Sequence, residues 1–391
     1  MEDDLEFNDI RNKRFFNKYL CISKMGKGSF GSVFKAEYNH NYFALKFENR
    51  KKAYNLLEKE ASIMDYLQGI NIPYVELYSS TEDYNILVME LLGKSLGYYL
   101  QKLNYFSIQT VCMIGKQIIT TLEYIHEHHI IHRDIKPDNF CMGLNSNSKY
   151  VYLIDFGLAK KYRSSSTLIH YPCLNKKKLT GTPRYASINA LKGFEQSRRD
   201  DLESFGYVLI YFLRGELPWQ NLLAKTKEER NKKILEKKME ISLSKLCEGF
   251  PIEFEKFMNY VKNLEFEENP DYDMLRNLLK KVLEKNNLNY NYVFDWTTNE
   301  DLKARAESEY SHRELNLNGR CSISSKNIYN LKNNRISINN KKYGSTKMFN
   351  NYHNKITNIY KSNDFLPIIN YKNFNNNKEA DVNCSSACNI F

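Results

Sequence analysis

Two hydrophobic periodicities succeed one another along this chain before both disappear. Between Tyr19 and Phe47, runs rich in aromatic and branched residues are punctuated by glycines: Tyr19-Leu20-Cys21-Ile22, Ser32-Val33-Phe34-Lys35 and Tyr42-Phe43-Ala44-Leu45-Lys46-Phe47. Such runs predict short strands. A helix is expected near Lys52–Leu67, then a further strand over Tyr84–Glu90. Beyond Gly93 the repeat becomes helical. Val111, Ile114, Ile118, Leu122 and Ile125 recur at three- and four-residue steps within Ser107–His126, which marks one apolar face of a half-buried helix. After about Tyr310 the chain is rich in Asn, Lys and Ser, and its apolar residues follow neither period. The pattern predicts an α+β fold, a small β-rich lobe followed by a larger helical one, with a mostly disordered tail over 306–391.

Composition narrows the setting. Apolar residues make up 42% of the 391, ample for one large or two ordinary cores. The eight cysteines include no CxxC pair, so neither a zinc site nor a disulfide framework is expected, and a reduced cytosolic or nuclear setting fits. The acidic start, Met1-Glu-Asp-Asp-Leu-Glu6, does not read as a signal peptide. Nothing approaches the ~18 consecutive apolar residues of a membrane span. The net charge is +11, and no acidic residue lies between Leu315 and Asn363. That segment suits an anionic surface or a solvated tail. Without interleaved stacking motifs, nucleic acid is not an expected partner.

The densest chemistry lies in His132-Arg133-Asp134-Ile135-Lys136-Pro137-Asp138-Asn139. Asp134 is placed to accept a hydroxyl proton, Lys136 to neutralise charge on a moving phosphate, and Asn139 to hold magnesium. The arrangement resembles the catalytic loop of protein kinases, and Lys136 marks its Ser/Thr version. His132 reads as a core histidine supporting the loop. Arg133 reads as a cation for an activation-segment anion or for local packing.

Three further motifs fall around it. Gly26-Lys27-Gly28-Ser29-Phe30-Gly31-Ser32-Val33 gives GxGxxGxV between two strand-like runs; such glycines let backbone approach phosphates, although the pattern alone is often only a tight turn. Lys46, inside an apolar strand, needs an anionic partner, because an unpaired buried ammonium costs several kcal/mol. Glu60 is the natural candidate and Glu58 the alternative. Asp155-Phe156-Gly157 follows a short apolar run, so that Asp155 and Asn139 converge on Mg2+. Asp201, near the start of an apolar helix reaching about Arg214, can anchor the catalytic-loop backbone.

With these residues in hand, the chain resembles the casein kinase I family over roughly 15–297. The Ala-Pro-Glu that usually ends the activation segment is absent, and Ser187-Ile188-Asn189 stands in its place. The strings Leu179–Asn189, Glu195–Glu203, Leu153–Tyr162, Leu217–Gln220 and Tyr292–Trp296 follow the family pattern closely. The resemblance implies a bilobal kinase fold with an N-terminal extension 1–14 and a kinase domain 15–297. That domain divides into an N-lobe 15–89, a hinge 90–93 and a C-lobe 94–297, and a linker and tail 298–391 follow. It implies an ATP- and Mg2+-dependent Ser/Thr kinase preferring acidic or already phosphorylated proteins, with Asp134 as base. Gly26, Lys27, Gly28, Ser29, Gly31, Val33, Lys46, Glu60, Met89, Glu90, Leu92 and Asp155 would surround ATP, Met89 as gatekeeper. Lys177, Arg184 and Arg230 match the family's substrate-anion pocket, among a wider basic set that includes Lys176 and Lys178. Asn221 and Pro183 depart from the family, where a glycine and a small residue are usual. No activation-loop phosphosite is required, so constitutive activity is expected. The rival reading is a pseudokinase scaffold, against which stand the intact Lys46, Asp134, Asn139 and Asp155.

The last four residues, Cys388-Asn389-Ile390-Phe391, fit C-a-a-X except for the non-aliphatic Asn389. Cys388 is thus a candidate prenylation site. Since one lipid anchors only marginally, Cys384 as a palmitoylation candidate or the basic run would supply the second membrane signal. Ser322, Ser324, Ser325 and Ser337, once phosphorylated, would compete for the basic pocket.

Overall fold

The computed structural model describes residues 10–28, 31–51 and 56–307. Its N-terminal lobe is one antiparallel sheet of β1 (Arg14–Phe15), β2 (Tyr19–Gly28), β3 (Gly31–Tyr38), β4 (Asn41–Asn49), β5 (Val75–Ser80) and β6 (Tyr84–Glu90), in the order β1-β2-β3-β4-β6-β5. The helix α1 (Leu56–Tyr66) lies between β4 and β5 in the chain. Side chains alternate across a strand, so β4 has two different faces. Phe43, Leu45 and Phe47 join Phe34, Tyr19 and Ile86 in an apolar core, where Phe47 meets Phe15, Phe34 and Tyr84 edge-on. The other face carries Lys46 and Glu48 toward α1; Glu48 accepts from the Leu57 amide at 3.3 Å. Lys46 is therefore buried by register, opposite Val33 and Leu87. The strands β1 and β5 escaped the sequence pattern. On β5 every side chain but the last is half-buried, so no alternation marks it.

The second lobe is helical, with α2 (Leu96–Leu103), α3 (Ile108–Glu127), α4 (Ile188–Leu191), α5 (Arg198–Arg214), α6 (Lys227–Glu240), α7 (Leu243–Leu246), α8 (Ile252–Asn263) and α9 (Tyr272–Lys285). Two small antiparallel pairs sit at its upper edge: β7 (Ile130–Ile131) with β10 (Lys160–Lys161), and β8 (Phe140–Met142) with β9 (Val151–Leu153). The catalytic loop runs from β7 to β8, and Asp155 follows β9. Strand pairing thus fixes both ends of the chemistry.

The helix α3 differs from expectation. It is buried on every side from Thr110 to Ile125, except at Lys116, instead of on one face. Its polar residues survive burial because each has a partner. Gln117 donates to Lys149 O at 3.1 Å and accepts from Val151 N at 3.0 Å, while Glu123 pairs with Arg276 at 2.7 Å. Hydrophobic periodicity cannot reveal a satisfied buried amide. No helix among the described residues is long and apolar enough to cross a membrane.

Packing also continues past the expected boundary at 297. The buried Arg305 donates from Nε to Ser148 Oγ at 2.9 Å and from Nη1 to Tyr292 O at 2.7 Å, and the compact unit ends there. Ser29, Phe30 and the tail candidates Ser322, Ser324, Ser325, Ser337, Cys384 and Cys388 lie outside the described residues. Substituting Arg305→Ala in the full chain is expected to cost about 1–3 kcal/mol by leaving buried acceptors unmet. A urea midpoint equal to wild type would show that Arg305 anchors nothing.

Candidate active site

A buried carboxylate suspends the catalytic loop. The capping box of Ser197 and Asp200 starts α5, which places Asp201 within its first turn. Asp201 accepts from the backbone amides of His132 at 2.7 Å and Arg133 at 2.8 Å, and contacts His126 Nε2 at 3.0 Å. Burial works to raise the Asp201 pKa, but the hydrogen bond and charge of His126, His132 and the loop amide outweigh it and hold it below the ordinary value. The loop needs such an anchor because Arg133 has a left-handed backbone, φ 68°, a conformation costing of order 1–3 kcal/mol. His132 is fully buried and contacts Ile154 O through Nε2 at 3.1 Å. It supports the loop and faces no solvent.

Asp134 is held by both of its oxygens. Oδ1 accepts from Thr182 Oγ1 at 2.8 Å, and Oδ2 meets Lys136 Nζ at 2.5 Å. Asn139 donates to the Asp134 backbone carbonyl at 2.8 Å, which turns its amide oxygen the other way. Thr182 is the residue that motif reading missed. Its approach depends on Gly181, which has φ 98° and where a Cβ would lie 2.3 Å from Arg133 O. The Gly-Thr pair inside Leu179–Arg184 was the available signal.

Lys46 joins the two lobes. Its Nζ lies 2.7 and 2.9 Å from the two oxygens of Glu60 and 3.0 Å from Asp155 Oδ1. Glu60, and not Glu58, is the partner. Burial alone would lower the Lys46 pKa, but Glu60 and Asp155 raise it above its usual value. The same burial pushes the Glu60 carboxyl up against the pull of Lys46; with three oxygens within 3.0 Å of one ammonium, we take the pair as charged. For Asp155, burial raises and Lys46 lowers, with a net fall. Asp155 itself has a left-handed backbone, φ 66°, which aims it back at Lys46.

The other residues expected around ATP form a frame around this pair. Gly26 and Val33 are register partners across β2 and β3, beside a bulge at Lys24/Gly26 that precedes Lys27 and Gly28. A Cβ at Gly31 would sit 1.7 Å from Phe47 O, so the close strand crossing admits only glycine. Met89 is buried opposite Ala44. Leu92 packs with Cys141 and Tyr152, and Gly93 N donates to Met142 O at 2.8 Å. Burial pushes the Glu90 carboxyl up to about 7, against a hydrogen bond from Tyr152. A divalent metal would find a carboxylate on Asp155 and an amide oxygen on Asn139, whose segments are joined by Ile154 N donating to Asn139 O at 2.9 Å. Hard oxygen donors of this kind, few in number, suit Mg2+ completed by phosphate and water.

The three residues expected at the anion pocket stand in different local settings. Lys177 Nζ lies 3.5 Å from Glu195, whose carboxylate also holds Lys160 at 2.6 Å. Arg184 sits 5.8 and 5.7 Å from the rings of Tyr185 and Tyr211 and lines a cavity of about 390 Å3 with Asp138, Arg214 and Glu216. Arg230 is exposed on α6. Two of the three face acids that charge counting does not show, Glu195 beside Lys177 and Asp138 beside Arg184. Asn221 has φ 58°, the region that favours glycine and that Asn tolerates best among other residues, so its departure keeps the turn.

A family model described as "Protein kinase domain" matches residues 19–289.

Replacing Asp201→Ala is expected to destabilise the chain by roughly 3 kcal/mol or more at neutral pH, by orphaning two buried amides. Because the folded pKa of Asp201 is depressed, this stability is present above the ordinary carboxylate pKa of about 3.9 and is lost as pH falls through the folded value. Urea titrations from neutral to acid pH should show the wild-type advantage narrowing; a constant gap would contradict the assignment.

Proposed function

The chain belongs to the protein kinase domain family, and from that premise we propose that it is an ATP- and Mg2+-dependent Ser/Thr kinase of casein kinase I type, acting on acidic or phospho-primed proteins. The observation that carries the reading is the double hold on Asp134, by Thr182 at 2.8 Å and Lys136 at 2.5 Å, beside a closed Lys46–Glu60 pair at 2.7 Å. A scaffold without turnover has no use for both.

In the proposed reaction a substrate Ser or Thr hydroxyl attacks the γ-phosphorus of ATP, its proton passes to Asp134, and the bond to the β-phosphate oxygen breaks, leaving ADP. Asp134 orients the attacking oxygen, since Thr182 and Lys136 leave its carboxylate a single rotamer. Lys136 lies where negative charge moves during transfer, and Lys46, fixed by Glu60, orients the phosphates. Bound Mg2+, held by Asp155 and Asn139, would neutralise phosphate charge. Arg133 uses Nε to bind Leu158 O at 2.8 Å, and the activation segment is pinned by β10 on β7. Both features support activity without prior phosphorylation.

The casein kinase I assignment rests on the strings Leu179–Asn189, Glu195–Glu203 and Tyr292–Trp296. Asp295 in the last accepts from Ser107 N at 2.7 Å and from Ser107 Oγ at 2.6 Å, and so holds the residue whose hydroxyl caps α3. Lys177, Arg184 and Arg230 are the basic residues that would meet a phosphate or carboxylate group of the substrate. Lipid attachment at Cys388, supported by Cys384 or the basic tail, would carry the enzyme to membranes. A Cys388→Ser chain that fractionates as wild type does would remove that part.

The central test is transfer from ATP and magnesium to paired peptides, one with phosphoserine before the target Ser and one without. We expect the primed peptide to be preferred, Asp134→Asn to lower the rate by about 10²–10⁴-fold, and Arg184→Ala to erase most of the preference. Activity without preference would discard the substrate class and keep the kinase. No transfer to either peptide or to casein would overturn the reading.

A further inference from the structure

One buried cation has no place in the chemistry above. Lys238, on the helix α6, is 1% exposed. Its ammonium sits over the rings of Tyr207 at 4.2 Å and Trp219 at 4.9 Å. It donates to Ala186 O at 2.5 Å and reaches Pro183 O at 3.4 Å. Both carbonyls belong to the segment 182–187, which begins at the Thr182 that touches Asp134 and ends where Ala-Pro-Glu would ordinarily stand. A buried ammonium is expensive unless each proton is met, and here two aromatic faces and two carbonyls meet it.

Neighbouring elements also hold the segment at Arg184 and Ser187, and the chain just beyond it at Ile188. Trp219 Nε1 donates to Arg184 O at 2.7 Å. Ser187 Oγ donates to Asp200 at 2.5 Å. Ile188 N donates to Glu203 Oε1 at 3.0 Å, and Tyr207 donates to that same oxygen at 2.7 Å. Among the described residues, Lys238 and Trp219 are the side chains from outside the segment that hydrogen-bond its backbone between Thr182 and Ser187.

Resting on the kinase reading, we propose that Lys238 is a positioning residue for the protein substrate: by gripping the carbonyls of Pro183 and Ala186 it fixes the loop that presents Thr182 to Asp134 and Arg184 to its cavity. It takes the place of the missing Ala-Pro-Glu anchor. Its effect falls on binding of protein and not of ATP, since no nucleotide-facing residue contacts it.

Burial lowers the Lys238 pKa to about 7, with Glu203 raising and Lys262 lowering it further. Glu203 and Tyr207 face it from α5 and Lys262 lies on α8, while Trp219 adds no charge. As pH rises through that value the ammonium loses its charge and its grip on both carbonyls weakens, so loop order is greatest below it. Folding stability moves the other way, because an unfolded lysine keeps its proton to about 10.4 and relieving the buried charge favours the folded state as pH rises.

The test uses the full chain carrying Lys238→Met, which keeps length and ring contacts but cannot donate. We expect the KM for casein to rise roughly tenfold or more while the KM for ATP stays within about twofold. Wild-type values for both, or equal losses in both, overturn the proposal. If that variant does not fold, wild type answers instead. The Tyr185 and Ala186 amides each donate to Thr182 O at 3.0 Å, and their hydrogen-exchange protection, corrected for intrinsic rates, is expected to fall severalfold from about pH 6 to about pH 8.5. Protection independent of pH overturns it. That readout needs no phosphoryl transfer, so an inactive wild type would count against the kinase reading alone.

Discussion

The position of the catalytic loop is decided by the burial of Asp201. A carboxylate taken out of water must find donors, and it finds two loop amides and His126. The demand runs in both directions. The amides of His132 and Arg133 would be orphaned without it, and Arg133 could not hold its left-handed backbone. Everything downstream inherits this height: the Asp134 carboxylate, the Arg133 carbonyl against Gly181, and through Gly181 the approach of Thr182. His126 passes the constraint to Tyr272 on α9 at 2.7 Å, so the anchor is itself tied to the far side of the lobe.

A second ion cluster decides how the lobes meet. Lys46 comes from a sheet whose register gives it no choice of face, and its two acids come from opposite lobes, Glu60 from α1 and Asp155 from behind β9. Coulomb attraction in a buried setting is strong, yet desolvation offsets much of it. The pair therefore contributes alignment more than stability, the use that a phosphate-positioning lysine requires.

How much of this could be read from the sequence depended on whether a residue acts through its own motif or through a neighbour's. Lys46, Asp134, Asn139 and Asp155 stand in strings whose spacing encodes strand, turn and loop, and the structure brings them together. The choice of Glu60 over Glu58 needed the register of β4 against α1. Lys238 belongs to no recognised pattern, and Thr182, although inside the Leu179–Asn189 string, was not singled out; both act through a hydrogen bond made across long chain separation. The surroundings of Lys177 and Arg184 were hidden for a related reason. Counting cations along a chain says nothing of the carboxylates of Glu195 and Asp138 that fold against them. On the fold side, β5 lacks alternation and α3 hides buried amides behind an amphipathic repeat, so a rule based on hydrophobic rhythm misses one and half-describes the other.

The burial of α3 has an evolutionary consequence. A helix with a solvent face accepts change on that face, and its sequence can drift while its core stripe holds. Almost every turn of α3 meets a fixed neighbour, with Gln117 engaged to the β9 segment, Glu123 to Arg276 and His126 to Asp201. Variation there must be compensated on another element at the same time. The slowest-changing part of this protein should therefore include a helix that carries none of the reacting groups, and inherited loss of activity can arise from positions that a map of those groups would leave blank.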